Sequence, residues 1–238
     1  MTDYGELRCG VTGRVATMQL NRPDKRNALT QRMRHEVMDC LATYDADDSI
    51  SVVVIAGIGG SFCAGMDRDE MLSDDPTERE RTADSSARFH RAVLSFSKPL
   101  IAAIDGYALG TGLDLALMCD ARICTERAQF GHPEILMGAV PIYSPLKDIV
   151  GAGWAREICL TGRRVDAKLA RHIGLVTDVV VPDDLLARAQ QMGEEMAGVP
   201  LPTLRATKAL FADPQYGEWW LVREHDDVFA AGLTIRQP

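Results

Sequence analysis

The stretch KPLIAAIDGYALGTGLDLALMCDARI, residues 98–123, decides the fold. Its first part, PLIAAIDG (99–106), is a continuous apolar run closed by glycine. A run with no polar alternation predicts a strand covered on both faces, as in a parallel sheet between layers. GTGLDLALMCD (110–120) then reads as a buried helix that starts at a glycine. Asp114 falls one turn into that helix, among leucines and alanine. An acid in such a setting is unusual unless it is paired or used.

Reading upstream, SVVVIAG (51–57) is a second buried strand ending in glycine, followed by the glycine-rich loop GIGGSFCAGMD. RVATMQL (14–20) alternates like a half-buried strand, and NRPDKRNAL (21–29) is a basic, turn-rich loop. Thr30 can cap a helix over about 31–44, where Met33, Val37, Met38 and Leu41 make an apolar stripe. Residues 68–86 are charged with little hydrophobic period, which predicts a mobile loop or a loose helix.

Reading downstream, ARICTERAQFGHPEI holds two short strand candidates and a turn. Beyond residue 145 helical signals dominate. Asp166 can cap a helix ending at Gly174, Asp183 another ending at Gly198, and Pro200 and Pro202 lead into a last pair of helices. Strand–helix alternation followed by helices predicts an α/β core, residues 1–198, with a helical region at 199–238.

Composition narrows the function. The 238 residues are 46% hydrophobic and 25% charged, ordinary for a globular chain. A formal net charge of -8 repels phosphate backbones and argues against nucleic acid as a main partner. Cysteines stand at 9, 40, 63, 119, 124 and 159, with no CxxC and no metal-ligand spacing to the five histidines. The polar start MTDYGELRCG carries no secretory signal, and no apolar run reaches membrane-spanning length. The expectation is a cytoplasmic protein with free thiols.

Two glycine-rich loops each follow a predicted buried strand: Ser61–Asp67, and Gly106–Gly112, which runs into a helix. Glycines admit close approach of a ligand, and a helix start leaves amide N–H groups unpaired. Two such groups aimed at one point make an oxyanion hole. Each loop is equally readable as strand-to-turn punctuation. Asp114 and Glu134, the latter in GHPEI, are candidates to divide acid and base roles; Glu134 is also what a helix dipole favours at a helix start. His90 and His132 read as surface or packing residues, and Tyr143 in PIYSP as a turn residue. Cys63 has no histidine–acid arrangement near it in sequence, and Lys25 and Arg26 form a small basic patch or a solvated loop.

In order along the chain, NRPDKRNAL, SFCAGMD, KPLIAAIDGYALGTGLDLALMCDARI, AQFGHPEILMGAVP and LTGRRVDAKLARHIGLVTDVV resemble the enoyl-CoA hydratase/isomerase (crotonase) superfamily over about residues 12–210. The resemblance implies a spiral of repeated β-β-α units with C-terminal helices that assemble a trimer or a dimer of trimers. It implies an acyl-CoA substrate and no metal, flavin or nicotinamide. The backbone N–H groups of Met66 and Thr111 would hold the thioester oxygen. Lys25, Ala28, Ala64, Asp67 and Arg68 would line the CoA path, with Lys25 and Ala28 near the adenine. Asp114 and Glu134 match the two acids of hydratases, Glu134 exchanging the α-carbon proton and Asp114 helping to activate water.

The chain departs from the family pattern at four points. Thr111 stands where glycine is usual, which puts a β-branch beside the acyl group. Asp114 stands where glutamate is usual, which withdraws the carboxylate by roughly 1.5 Å. PIYSP (141–145) replaces a glycine-rich turn and adds bulk along the acyl chain. The chain ends at TIRQP, short of the tail that often covers CoA in this family, so a lid that is incomplete or built differently is expected. The implied reaction is hydration of a 2-enoyl-CoA. The rivals are double-bond isomerisation, hydrolysis or carbon–carbon cleavage of an acyl-CoA, and CoA binding with weak catalysis.

Overall fold

Strand β3 (Val52–Gly57) shows why its sequence is apolar at every position. Val53 and Ile55 point into the main core, while Val52, Val54 and Ala56 point to the opposite face of the sheet. Strand β4 (Leu100–Ile104) divides the same way: Leu100, Ala102 and Ile104 face one side, Ile101 and Ala103 the other. The second face is covered by helix α7 (Leu185–Ala197), whose Leu185 and Ala189 pack on Val15, Val52 and Ile101. The structure, a computed structural model, describes residues 4–211.

Around these two strands runs a six-stranded sheet in the order β1-β2-β3-β4-β6-β9. β1 (Leu7–Thr12) and β2 (Val15–Leu20) form an antiparallel hairpin at one edge. The other pairings, through β6 (Ala121–Thr125) to β9 (Asp178–Val180), are parallel. A smaller sheet joins β5 (Tyr107–Leu109), β7 (Gln129–Gly131) and β8 (Val165–Asp166) in that order. The Cys63–Ala108 bridge brings the first glycine loop alongside β5. The chain thus alternates between the sheets: β3 then the Cys63 bridge, β4 then β5, β6 then β7. Each passage is followed by helix, and this repetition is the expected β-β-α spiral.

The helices follow their local signals with informative exceptions. Helix α1 (Gln31–Ala46) starts at Thr30, whose hydroxyl accepts from the Met33 N–H, and buries Met33, Val37 and Leu41. Of the two expectations for residues 68–86, a mobile loop or a loose helix, the helical one holds. These residues form the short α2 (Arg68–Met71) and most of α3 (Pro76–Ser95), a 20-residue helix. Its buried face is mainly Thr82, Ser85, Ser86, Phe89, His90 and Val93. Serine and threonine form most of the first two turns of that stripe, so a purely apolar period misses it. Helix α4 (Thr111–Leu117) begins at Gly110, which adopts φ +51°.

Helix α5 (Ser144–Thr161) is broken by Gly151 at φ +79°, and α6 (Ala167–His172) starts at Asp166, which accepts from Leu169 N–H. The expected Asp183 cap is absent. A 3₁₀ turn at Pro182–Asp184 runs straight into α7, with no side-chain cap. Helix α8 (Leu201–Phe211) opens the C-terminal region, and the second helix expected there lies outside the described residues. No helix among the described residues is long and apolar enough to cross a membrane.

Candidate active site

The two glycine loops lie side by side. Cys63 N–H donates to Tyr107 O at 2.8 Å and Leu109 N–H to Cys63 O at 3.0 Å, so the loops pair as short parallel strands. The contact continues to the start of α4. A side-chain carbon at Gly112 would lie 2.3 Å from the Cys63 carbonyl oxygen, so only glycine fits. A carbon at Gly65 would lie 3.7 Å from the Thr111 nitrogen, which puts the residue before Met66 against the first residue of α4. Neither the Met66 nor the Thr111 N–H has a hydrogen-bond acceptor among the described residues. Both amides thus lie unpaired on adjoining loops.

Buried side chains hold this arrangement. Arg34 of α1 is fully buried and donates to Leu29 O at 2.7 Å and to Ser85 Oγ of α3 at 2.9 Å. Its guanidinium also reaches Met66 Sδ and Glu70, each at 3.4 Å. Burial lowers its pKa from the usual range, while the Glu70 carboxylate opposes that shift. Arg34 therefore ties the Met66 loop to three helices. On the other side of the loop, the Leu29 N–H donates to Gly65 O and the Asp67 N–H to Leu29 O.

The residues expected along a CoA path separate by exposure. Lys25 and Arg68 are exposed, and Lys25 lies 3.7 Å from Asp69. Ala28 and Ala64 are half-buried on neighbouring segments, with Ala64 N–H donating to Arg26 O at 3.0 Å. Asp67 is buried. Its carboxylate accepts from Arg22 at 2.9 Å and caps α2 through the Asp69 N–H, so its side chain shapes the loop.

The two acids converge on a residue read from the sequence as surface or packing. His132 is fully buried at the start of the 3₁₀ turn Pro133–Met137. Its Nδ1 bonds Glu134 Oε1 at 2.8 Å, and its Nε2 lies 3.9 Å from Asp114 Oδ1. His90, from α3, is also buried and places Nε2 3.9 Å from the other oxygen of Asp114, while its Nδ1 bonds Ser86 O. Glu134 and Asp114 thus lie at opposite nitrogens of one imidazole ring.

Glu134 Oε2 is buried without a partner among the described residues, and a side-chain carbon at Gly110 would lie 3.2 Å from it. Desolvation pulls the His132 pKa down, but the Glu134 hydrogen bond and the charges of Asp114 and Glu134 outweigh it, and the net shift is upward. Burial pushes the neighbouring Cys63 thiol up to about 12, so it is no nucleophile at neutral pH. No cluster among the described residues is arranged to hold a metal ion.

PIYSP (141–145) runs into the start of α5. Ile142 is buried in the main core and Tyr143 packs against it, so at least Ile142 fills the core under the turn.

Sequence spacing pointed to the loops and acids, and it missed the histidines. The available signal was their company: His132 stands two residues before an acid, and His90 next to Phe89 on the buried stripe of α3.

The chain has relatives in sequence and in fold. The enoyl-CoA hydratase/isomerase family model matches residues 10–216. A probable enoyl-CoA hydratase of Rhizobium meliloti (strain 1021) is 39% identical over 208 residues, covering 86% of this chain and 80% of the relative. The 2,3-dehydroadipyl-CoA hydratase of Escherichia coli (strain K12) is 37% identical over 205 residues, covering 85% and 80%. The crystal structure of an enoyl-CoA hydratase/isomerase from Xanthobacter autotrophicus Py2 superposes with TM-score 0.89 at 30% identity, covering 98% of this chain and 88% of that one. The chain belongs to the enoyl-CoA hydratase/isomerase family, and its fold is the crotonase spiral.

Proposed function

We propose that this protein is an enoyl-CoA hydratase, adding water reversibly across the double bond of a 2-enoyl-CoA thioester. The observation that carries the reading is the meeting of Asp114 and Glu134 at one buried imidazole. The adjoining glycine loops, with unpaired Met66 and Thr111 amides, supply the second requirement. The thioester oxygen accepts hydrogen bonds from those two amides, which stabilise the enolate as negative charge moves onto it. Asp114 takes a proton from the water whose oxygen bonds to the β-carbon, Glu134 delivers a proton to the α-carbon, and proton transfer from Asp114 to Glu134 restores both acids. Lys25, Ala28, Ala64, Asp67 and Arg68 belong to the CoA path in this proposal. So do a cytosolic setting and assembly as a trimer or dimer of trimers. Coenzyme A enters as part of the substrate, and no separate cofactor takes part.

A second reading is double-bond isomerisation, for which one base suffices. It is favoured by exposure: the Glu134 side chain is 19% exposed and that of Asp114 only 5%. The deciding experiment is wild-type turnover of a 2-enoyl-CoA, a 3-enoyl-CoA and a CoA-only control. Asp114→Asn should slow hydration by about 10²–10⁴. It should slow isomerisation much less. Glu134→Gln should abolish both. Hydration that survives Asp114→Asn would refute the two-acid mechanism, and turnover of the 3-enoyl substrate alone would replace hydratase by isomerase.

A further inference from the structure

The acid pair contains a third ionisable group that the hydration mechanism above does not use. His132 presents one ring nitrogen to each carboxylate, at 2.8 Å from Glu134 and 3.9 Å from Asp114. An ionised carboxylate only accepts, so a ring facing two of them is best matched with a proton on both nitrogens. The ring is fully buried, and a buried charge persists only with partners of opposite sign. Here the Glu134 carboxylate is hydrogen-bonded on one side, and the Asp114 carboxylate stands at ion-pair distance, without a hydrogen bond, on the other.

We propose that His132 is a positioning residue, an imidazolium that grips Glu134 by Oε1, leaves Oε2 as the oxygen that meets the substrate, and balances part of the negative charge of the acid pair. Three observations fit this role. Oε1 is occupied by Nδ1, while Oε2 has no partner among the described residues. Oε2 lies beside Gly110, where a side-chain carbon would come within 3.2 Å, at the entry to the helix whose first amide belongs to the proposed oxyanion site. His132 itself immediately precedes the 3₁₀ turn that carries Glu134, so the bond spans two residues and fixes the carboxyl torsion locally.

Without the imidazolium, a buried and a half-buried carboxylate around one site would repel and compete for a single proton. The ionisable groups facing this cluster are Glu134 from its own turn, Asp114 from α4, His90 from α3 and Cys63 from the first loop. His90 approaches the far oxygen of Asp114 and therefore acts on that acid, while His132 bonds the Glu134 carboxylate.

The role rests on the hydratase reading, and two measurements separate them. The first needs no substrate: nitrogen-15 NMR of histidine-labelled wild-type protein across about pH 5 to about pH 9. His132 should carry protons on both ring nitrogens at neutral pH and titrate above the ordinary imidazole range. Glu134→Gln should bring that midpoint down. A His132 that is singly protonated at neutral pH, or indifferent to Glu134→Gln, overturns the proposal whether or not the enzyme hydrates anything.

The second measurement is steady-state hydration of crotonyl-CoA over the same pH range. His132→Leu should lower kcat by about 10–100-fold through loss of Glu134 alignment. KM should change by less than about threefold, because the CoA contacts lie elsewhere. His132→Gln keeps a donor for Oε1 and no charge. It should recover most of kcat near neutral pH and lose the alkaline limb that the wild type shows as His132 deprotonates. A wild-type pH profile in His132→Gln, or wild-type kcat in His132→Leu, also overturns the role. If wild type fails to hydrate yet His132 titrates as described, the hydratase reading falls and the imidazolium stands.

Discussion

Gly112→Ala tests whether the two glycine loops cooperate as one oxyanion site. The added methyl would lie 2.3 Å from Cys63 O and 2.8 Å from both Cys63 C and Cβ. Ordinary carbon contacts begin near 3.4 Å, so the loops must part by about 1 Å, and two of the three opposing atoms are backbone. Overpacking of this kind costs about 1–3 kcal/mol of stability. The larger effect is catalytic. The movement separates Thr111, on the α4 side, from Met66, on the Cys63 side, and loss of one oxyanion donor costs about 10²–10³ in kcat. The assay is kcat and KM for crotonyl-CoA, with thermal unfolding measured on the same preparation. The expected result is a folded protein with a modestly lowered Tm and kcat reduced at least about a hundredfold. A stable variant with wild-type kcat would refute the cooperation of the two loops. Because hydration and isomerisation both place charge on the thioester oxygen, the prediction holds for either activity.

Asp114→Glu adds about 1.5 Å of reach, enough to bring the carboxylate from 3.9 Å to hydrogen-bond distance of His132 Nε2. Hydration should be retained or increased, and its complete loss with folding and CoA binding intact would count against the assignment. Arg34→Met removes a buried charge that braces Leu29, Met66 and Ser85, and should lower stability by about 2–4 kcal/mol in urea unfolding. It should also lower kcat more than it raises KM. Because the His132 pKa is raised by folding, its contribution to stability is complete below the unfolded imidazole value of about 6.5 and is lost as pH rises through the higher folded value. Wild type should thus lose more Tm than His132→Gln between about pH 6 and about pH 9. A hydrogen bond from Cys40, 3.5 Å away, lowers the Cys9 pKa to about 7, so limited iodoacetamide at neutral pH followed by peptide mapping should label Cys9 first. Prior labelling of Cys63, Cys119 or Cys124, whose thiols burial holds near 12, would contradict it.

Much of the fold was legible because its signals are local. The unbroken apolar runs at 52–57 and 100–104 already require cover on both faces, and glycine at 110 and 112 already marks a turn that side chains would obstruct. The Thr30 and Asp166 caps depend on bonds within three residues and formed as read. Helix α3 was legible only as one of two readings, because its buried face contains serine, threonine and histidine whose partners are brought in from α1 and α4. The candidate site divides along the same line. Two glycine loops and two acids could be chosen from residue type and order along the chain. That Asp114 and Glu134 meet, and that His132 stands between them, depends on β5 pairing with β7 so that α4 and the 3₁₀ turn leave the small sheet side by side. A histidine has no fixed meaning in a sequence, since burial and the charges around it decide its proton. Those are properties of the folded chain, set by which distant residues the sheet brings within about 4 Å.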